Sequence, residues 1–354
     1  EDKRMKKILA FVLTMAMTAS LLVGCTGTIV VIENPTGTTE TKENVEVAET
    51  TESAVKTGLS VIANLSGEGA TKEANGVATT DISLVAVTVN DNGVIESCVI
   101  DAVQGKVAFD SQGQLVAETG EILSKNELGD DYGMRVASPI GKEWNEQAAH
   151  IAAYAVGKTV EELKTKAIDE NGVVKDADLA SGATIYMGSF IWAIEAAVNN
   201  AEYLGANSGD KLIVVSNSKA SGTDATAEAD GTTQVDANVA AFTMNGDKIT
   251  SCIIDAIQAK ASFDTKGVAA EIADPTVMTK AQLGENYGLK AYSAIGKEWD
   301  EQTAAFCQYI TGKTVDEVKG ISLTETTAPA DTDLAASVSI AVGDFMGLVE
   351  KAAN

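Results

Sequence analysis

Residue types that mark several common functional classes are scarce in this chain. Of its 354 residues, 26 are Lys or Arg and 51 are Asp or Glu, a net charge of −25 that excludes a nucleic-acid binder working by phosphate neutralisation. One His and four Cys without a C-x-x-C pair exclude a zinc site and a small disulfide-stapled fold. The sequence also lacks a recognisable nucleophile triad, phosphate loop or paired-carboxylate spacing.

What is present is the composition of a globular protein. Hydrophobic residues make up 45% of the chain and charged residues 22%, which is too apolar for a disordered protein. The length corresponds to about two domains of ordinary size, each long enough to bury a core.

Residues 1–25 carry the pattern of a secretory signal. Lys6 and Lys7 precede an apolar run from Ile8 to Val23, and the run ends in Leu22-Val-Gly-Cys25. This ending resembles the bacterial lipobox, in which the Cys receives diacylglycerol and becomes the mature N terminus. The resemblance implies a protein anchored to membrane lipid through Cys25, on the extracytoplasmic face of a bacterial membrane. The alternative is a transmembrane anchor, for which the run is short.

Residues 26–57 are rich in Thr and Glu and have few large apolar side chains, which predicts a flexible tether. A random coil of about 32 residues has an end-to-end distance of about 30 Å. The folded part is therefore expected to stay close to the lipid.

The rest of the chain is a tandem repeat of one domain. The octad Ile140-Gly-Lys-Glu-Trp-Asn-Glu-Gln147 returns as Ile295-Gly-Lys-Glu-Trp-Asp-Glu-Gln302, an offset of 155 residues. Gly157-Lys-Thr-Val160 returns at the same offset. A period this long indicates tandem domains rather than a solenoid, and we place copy one at 58–206 and copy two at 207–354.

Each copy begins with a β-rich region. Strands are predicted over Leu84–Val89 and Val94–Ile100, joined by the hairpin signal Asn90-Asp-Asn-Gly93, and Asn245-Gly-Asp247 repeats this turn in copy two. Short leading strands are predicted at Leu59–Ile62 and Leu212–Val215.

Helical patterns follow the strands. Apolar residues from Ile140 to Ala155 recur on one helix face, and the same holds from Ile295 to Ile310. Capping boxes at Thr159 and Thr314 predict a second, short helix in each copy. Ser189 and Asp344 are expected N-caps of a final apolar helix. The fold class predicted for each copy is α+β, a mostly antiparallel sheet packed with helices.

The most specific motif is Asp178-Leu-Ala-Ser181-Gly182-Ala183-Thr184, followed by an apolar helical stretch. It resembles the D-x-x-[ST]-G-A-T sequence of covalently flavinylated FMN-binding domains, which occur in sodium-pumping NADH:quinone reductases and in surface lipoproteins. In that family a secreted flavin transferase esterifies the closing Thr to the phosphate of FMN. The resemblance therefore implies covalent FMN on Thr184, with Asp178, Ser181, Gly182 and Ala183 forming the attachment motif.

A structural interpretation competes with this one. Copy two reads Asp333-Leu-Ala-Ala-Ser-Val-Ser-Ile340 at the aligned place and lacks the motif, so flavinylation is not expected there. The alternation in this segment is typical of a β-strand, and Ala183–Met187 is then the same strand in copy one.

Other candidate residues are given structural roles by the sequence. Cys98 and Cys252 occupy equivalent strand positions, and with Cys307 they are expected to pack as small hydrophobic residues. Asp101 and Asp255 are expected to serve as turn or cap residues. His150 is predicted on a helix surface.

Trp144 and Trp299 in the octads are expected in the core, with a pocket rim formed by Lys142, Glu143 and Glu146 as the alternative.

Two functions of different classes follow. The first is an extracytoplasmic lipoprotein that carries FMN in copy one and relays electrons to a redox partner, without turnover as an enzyme. The second is a cofactor-free binding or cell-surface interaction protein that holds a small ligand in a cleft between the copies.

Overall fold

The computed structural model describes residues 53–116 and 120–353. The predicted signal segment 1–25, with Cys25, lies outside these residues, and so does the predicted tether up to residue 52. Residues 54 and 55 already contact the junction of the two copies, since Ala54 forms a β-bridge with Asn207 and the amide of Val55 donates to the carbonyl of Ala206. The first strand starts at Lys56, two residues before the predicted start of copy one.

Long antiparallel strands form the centre of the molecule, and they extend well beyond the predicted β-rich runs. In copy one they are β1 (Lys56–Glu68), β2 (Gly76–Val89), β3 (Ile95–Phe109) and the short β4 (Glu121–Ile122). In copy two they are β5 (Lys211–Thr223), β6 (Gly231–Asn245), β7 (Lys248–Phe263) and the short β8 (Thr276–Val277).

The predicted hairpin between β2 and β3 is confirmed. The side-chain oxygen of Asn90 accepts the backbone N–H groups of Asn92 and Val94, and Gly93 has a φ of 73°, in the left-handed region that favours glycine. Copy two turns between Asn245 and Lys248, again as predicted.

The two copies exchange their short strands. The sheet orders are β3-β2-β1-β8 and β4-β5-β6-β7, so each sheet combines three strands of one copy with a two-residue strand of the other. Ala63 of β1 pairs with Val277 of β8, and Ile122 of β4 pairs with Ser218 of β5. A buried hydrogen bond of 2.8 Å between the hydroxyls of Thr57 and Ser251 also joins the copies.

The inner faces of the two sheets bury a shared core. Leu84 and Val103 of copy one lie in the same cluster as Val239 and Ile257 of copy two. The outer face of each sheet is covered by the helices of its own copy, which gives two further cores. Both faces of β2 are therefore buried over residues 84–89, and this explains why polar residues do not alternate with apolar ones there. The α+β fold is confirmed, and the described parts of 58–206 and 207–354 belong to one compact unit.

The helices follow the strands in the same order in both copies. In copy one they are α1 (Lys125–Leu128), α2 (Trp144–Ala155), α3 (Val160–Glu162), which continues into one π-helical turn over Leu163–Ala167, α4 (Ala177–Gly182) and α5 (Met187–Asn199). In copy two they are α6 (Lys280–Leu283), α7 (Trp299–Ile310), α8 (Val315–Lys319), α9 (Thr332–Ala335) and α10 (Gly343–Ala352). Short 3-10 turns cover Gly129–Tyr132, Gly284–Tyr287 and Leu289–Ala291.

Both predicted capping boxes, at Thr159 and Thr314, are present. Four other expectations about helix starts were wrong. The helices predicted from Ile140 and Ile295 begin at Trp144 and Trp299, because Glu143 with Glu146, and Glu298 with Glu301, form capping boxes there. Neither Ser189 nor Asp344 is an N-cap, since α5 begins at Met187 and α10 at Gly343.

The strand predicted over Ala183–Met187 was also wrong. This segment and its counterpart in copy two connect two helices and lie outside the sheets. Within the described part of the chain, no helix is long and apolar enough to cross a membrane.

Candidate functional site

The segment that carries Thr184 is a short loop between α4 and α5. Thr184 is exposed, whereas the preceding Gly182 and Ala183 are buried. Gly182 is the last residue of α4, and the backbone becomes extended at Ala183, with φ −145° and ψ 145°. The loop therefore presents the Thr184 hydroxyl at the surface, directly before a long apolar helix.

A single buried amide holds this loop. The side-chain oxygen of Gln147 accepts the backbone N–H of Thr184 at 2.7 Å, its hydroxyl at 3.2 Å and the N–H of Ile185 at 3.2 Å. The amide nitrogen of Gln147 donates to the hydroxyl of Ser138 and to the carbonyl of Lys142. Gln147 is fully buried, so its side-chain amide depends on these bonds for its hydrogen-bond partners.

The other residues of the octad have equally definite structural roles. The carboxylate of Glu143 is buried and accepts the N–H groups of Met134 and Arg135 at 2.8 and 2.7 Å. Its own backbone N–H donates to Glu146, at the start of α2. The predicted core position of Trp144 is confirmed, and the pocket-rim alternative was wrong for Glu143. Within the octad, Gln147 is therefore the clamp that fixes the Thr184 loop, a role that sequence reasoning missed.

The remaining motif residues surround His150. The backbone carbonyl of Asp178 accepts from the Ser181 hydroxyl at 2.8 Å and is 3.0 Å from Nε2 of His150. A Cβ atom on Gly182 would lie 2.1 Å from the His150 ring, so the ring packs directly on this glycine. His150 thus lies on the surface of α2 as predicted, but its half-buried side chain packs on the end of α4. The acid that caps α4 is Asp176 and not Asp178. The Asp176 carboxylate accepts the backbone N–H groups of Asp178 and Leu179.

The N terminus of α5 has no side-chain cap. Its N-cap, Tyr186, makes no side-chain capping bond, and the Ser189 hydroxyl donates to the Tyr186 carbonyl. Tyr186 is 56% exposed and Trp192 is 42% exposed, and their rings meet edge to face at 6.2 Å. The uncapped start of α5 and the exposed ring of Tyr186 thus lie two residues after Thr184 in the chain, and the Tyr186 hydroxyl donates to the carbonyl of Asn171.

Copy two retains the glutamine that holds the loop but has different surface residues around it. Gln302 accepts the N–H of Ser339 at 2.7 Å, its hydroxyl at 3.1 Å and the N–H of Ile340 at 3.2 Å. The hydroxyl at the Thr184 position is therefore retained as a serine. The exposed aromatic pair is absent, because Ala341 and Gly347 stand at the positions of Tyr186 and Trp192.

A cavity of about 790 Å³ lies beside the Ser339 loop and between α10 and the second sheet. Ile340 and Phe345 line one side of it, and Lys280 lines another. The Lys280 ammonium lies 4.9 Å from the Tyr287 ring centre and 5.2 Å from that of Trp299. Copy one has the same arrangement with Lys125, Tyr132 and Trp144.

One buried polar atom close to this cavity has no partner. The hydroxyl of Ser218 is buried and makes no hydrogen bond to any described residue. Its cross-strand neighbours Ile122 and Ala237 belong to the core between the sheets, so the Ser218 side chain faces that core and not the cavity.

The predicted cap role of Asp101 and Asp255 is confirmed. Asp101 accepts the N–H groups of Ala102 and Asn126, and Asp255 accepts those of Ala256 and Ala281. Burial raises the pKa of Asp101 to about 6, against these hydrogen bonds, and it also raises the pKa of Asp255.

The cysteines differ between the copies. Cys98 packs beside the helix-side core of copy one, and burial raises its pKa to about 12. Cys252 and Cys307 are buried in copy two with their sulfur atoms 2.9 Å apart, and burial together with this contact raises the pKa of Cys252. Core packing was the prediction for all three residues, but the contact between Cys252 and Cys307 was not anticipated.

Comparison with known proteins adds no relative. No protein-family model matches this chain, and no curated protein or solved structure matches it either.

Proposed function

We propose that the protein is a lipid-anchored extracytoplasmic carrier of covalent FMN, with the flavin phosphate esterified to Thr184. The observation that carries the proposal is the exposed Thr184 hydroxyl, held by Gln147 at the entrance to the uncapped helix α5. Lipid on Cys25, a flavin transferase that acts on Thr184 and a separate redox partner belong to the same proposal.

The hydroxyl meets the requirements of an acceptor for a transferase. As a hydrogen-bond donor to Gln147, it keeps its oxygen lone pairs available for a new bond. The buried neighbours Gly182 and Ala183 place no large side chain between the hydroxyl and an approaching enzyme. Gln147 also fixes the backbone on both sides of the acceptor oxygen, which lowers the entropy cost of positioning it.

The surroundings fit the two chemically different parts of FMN. The first backbone N–H groups of α5, together with its helix dipole, favour a phosphate ester at this end of the helix. The exposed rings of Tyr186 and Trp192 offer an apolar surface for the isoalloxazine. When bound, FMN supplies the redox chemistry, and this chain contributes the attachment point and the surroundings of the ring.

The test uses the exported chain, coexpressed with a flavin transferase, and compares wild type with Thr184→Ala and Ser339→Ala. Intact mass and visible absorption are measured after unfolding, so that only covalent flavin is counted. We expect one FMN per chain in wild type and Ser339→Ala, and none in Thr184→Ala. An unmodified wild-type chain, with the transferase active on a control substrate, would overturn the proposal.

A second candidate function is non-covalent binding of a small polar ligand in the cavity of copy two. The cavity of about 790 Å³ favours it, because its size suits a small molecule and the Lys280 ammonium on its wall can pair with an anionic group. Free FMN is a suitable first probe, followed by protein fluorescence with wild type and Lys280→Ala. Saturable binding weakened in the variant supports this candidate, and unchanged binding or none contradicts it for this probe.

A further inference from the structure

We propose that Cys252 and Cys307 form a reversible disulfide that joins strand β7 to helix α7 in copy two. Their sulfur atoms are 2.9 Å apart, and they must approach by less than about 1 Å to reach the length of a disulfide bond, about 2.05 Å. Both residues belong to elements that pack against each other in the same core, so no rearrangement of the fold is needed.

The pairing is specific to copy two. Cys98 occupies the position of Cys252 in copy one, but Ala152 stands where copy two has Cys307. Copy one therefore provides a natural control within the chain, with one thiol in an equivalent place and no partner beside it. A packing role alone is already satisfied by alanine at this helix position, since Ala152 is buried in the core of copy one.

The pair also has a route for a small reagent. Cys252 and Cys307 line a cavity of about 610 Å³ at the boundary between the copies. Tyr203 and Leu204, from the segment that connects α5 to β5, form part of the same cavity. The two sulfur atoms are thus buried from bulk water but adjoin a space of the size that takes a small molecule.

The chemistry is thiol–disulfide exchange with a low-molecular-weight disulfide. The thiolate of one cysteine attacks the reagent, forms a mixed disulfide and releases one reagent thiolate. The second cysteine then attacks the mixed disulfide, forms the Cys252–Cys307 bond and releases the other reagent thiolate. The protein loses two electrons and two protons, and the reagent is reduced to two thiols, so the balance is complete. An extracytoplasmic location favours the oxidised form, but the pairing does not depend on flavin attachment.

The direct test is peptide mapping of the full chain without reduction. Folded protein is incubated with glutathione disulfide, unfolded in the presence of N-ethylmaleimide, digested and analysed by mass spectrometry. We expect a cross-linked peptide pair containing Cys252 and Cys307, reversed by dithiothreitol, with Cys98 alkylated. The oxidised chain is also expected to unfold at a midpoint higher by on the order of 5 °C, because the bond closes a long loop in the unfolded state.

Two variants complete the test. Cys98→Ser is expected to retain the cross-link, and Cys307→Ala, which reproduces Ala152 of copy one, is expected to lose it. Complete alkylation of both Cys252 and Cys307 after oxidation of the folded wild type would overturn the proposal, and so would a cross-link to Cys98. Because the wild-type map decides the outcome, poor folding of either variant leaves the test intact.

Discussion

Copy one and copy two share a backbone frame and differ in the chemistry placed on it. In both, a buried glutamine holds the loop before the last helix, through Gln147 or Gln302, with bonds that agree within 0.1 Å for each equivalent donor. Copy one adds the threonine and exposed aromatic rings, whereas copy two adds a cysteine pair and a large cavity. The octad is therefore retained because it supports the loop in both copies. The residues that differ between the copies are the ones on which the proposed functions depend.

One paired difference accompanies the restriction of the motif to copy one. His150 packs on Gly182 there, while copy two has Ala305 and Ser337 at these positions. The larger side chain thus sits on the helix in one copy and on the loop in the other. Loss of the Gly-Ala-Thr sequence in copy two accompanies a change in local packing as well as a change in surface chemistry.

The largest effect is expected from removal of the clamp. We expect Gln147→Leu and Gln302→Leu each to lower the free energy of unfolding by about 4 kcal/mol, because each leaves two backbone N–H groups without their buried acceptor. Urea denaturation measures the loss. The control is Gln308→Leu on the exposed face of α7, expected within about 0.5 kcal/mol of wild type. If only one of the two substitutions lowered the free energy of unfolding, the two glutamines would not have equivalent roles.

A pH-dependent difference is expected from the buried carboxylates. The pKa of Asp101 in the fold, about 6, lies above its ordinary value of 3.8, so the folded state binds more protons between these values. Its contribution to stability is full below about pH 4 and is lost as the pH rises to about 6, by on the order of 3 kcal/mol. Asp101→Asn should therefore gain stability relative to wild type over this range.

Asp255→Asn tests the equivalent buried carboxylate of copy two. Burial dominates at both sites, but Glu127 raises the pKa of Asp101 further, while Lys280 lowers that of Asp255. We expect the same sign and a smaller gain at Asp255, measured by urea denaturation at pH 4 and pH 7. A larger gain at Asp255 would contradict the assigned charge effects.

The smallest effect is expected where His150 meets Gly182. Gly182→Ala should lower the free energy of unfolding by about 1–2 kcal/mol, because its Cβ displaces the His150 ring. The combination with His150→Ala should remove most of this penalty, as measured in a double-mutant cycle. Ser337→Ala is the matched variant in copy two and should change stability by less than about 0.5 kcal/mol. An equal penalty with and without His150 would show that the ring is not the cause.

Local patterns allowed much of the fold to be predicted. The turn at Asn90 and the capping boxes at Thr159 and Thr314 depend on residues three or four apart, and all are present. The helix starts were less accurate, because Glu143, a weak N-cap by residue type, begins α2 instead of Ile140. The exchange of β4 and β8 had no detectable signal, since a strand of two residues is too short to show a period.

The candidate site was predicted only in part for the same reason. The motif around Thr184 was visible as a contiguous string, but its support by Gln147 joins residues 37 positions apart. The repeated octad was the available signal, and it indicated a common role without identifying the bonds. Likewise, the contact of Cys252 with Cys307 spans 55 positions and depends on how α7 packs on β7.

The sequence by itself determined the repeat, the α+β class, the hairpins and the capping boxes at Thr159 and Thr314, because these depend on neighbouring residues and on the register of two similar segments. Only the tertiary structure decided that the copies exchange strands and share a core, that Gln147 presents Thr184, and that two cysteines meet in copy two. These features arise from packing between residues distant in the chain, where the burial of apolar surface sets the geometry and local propensity does not.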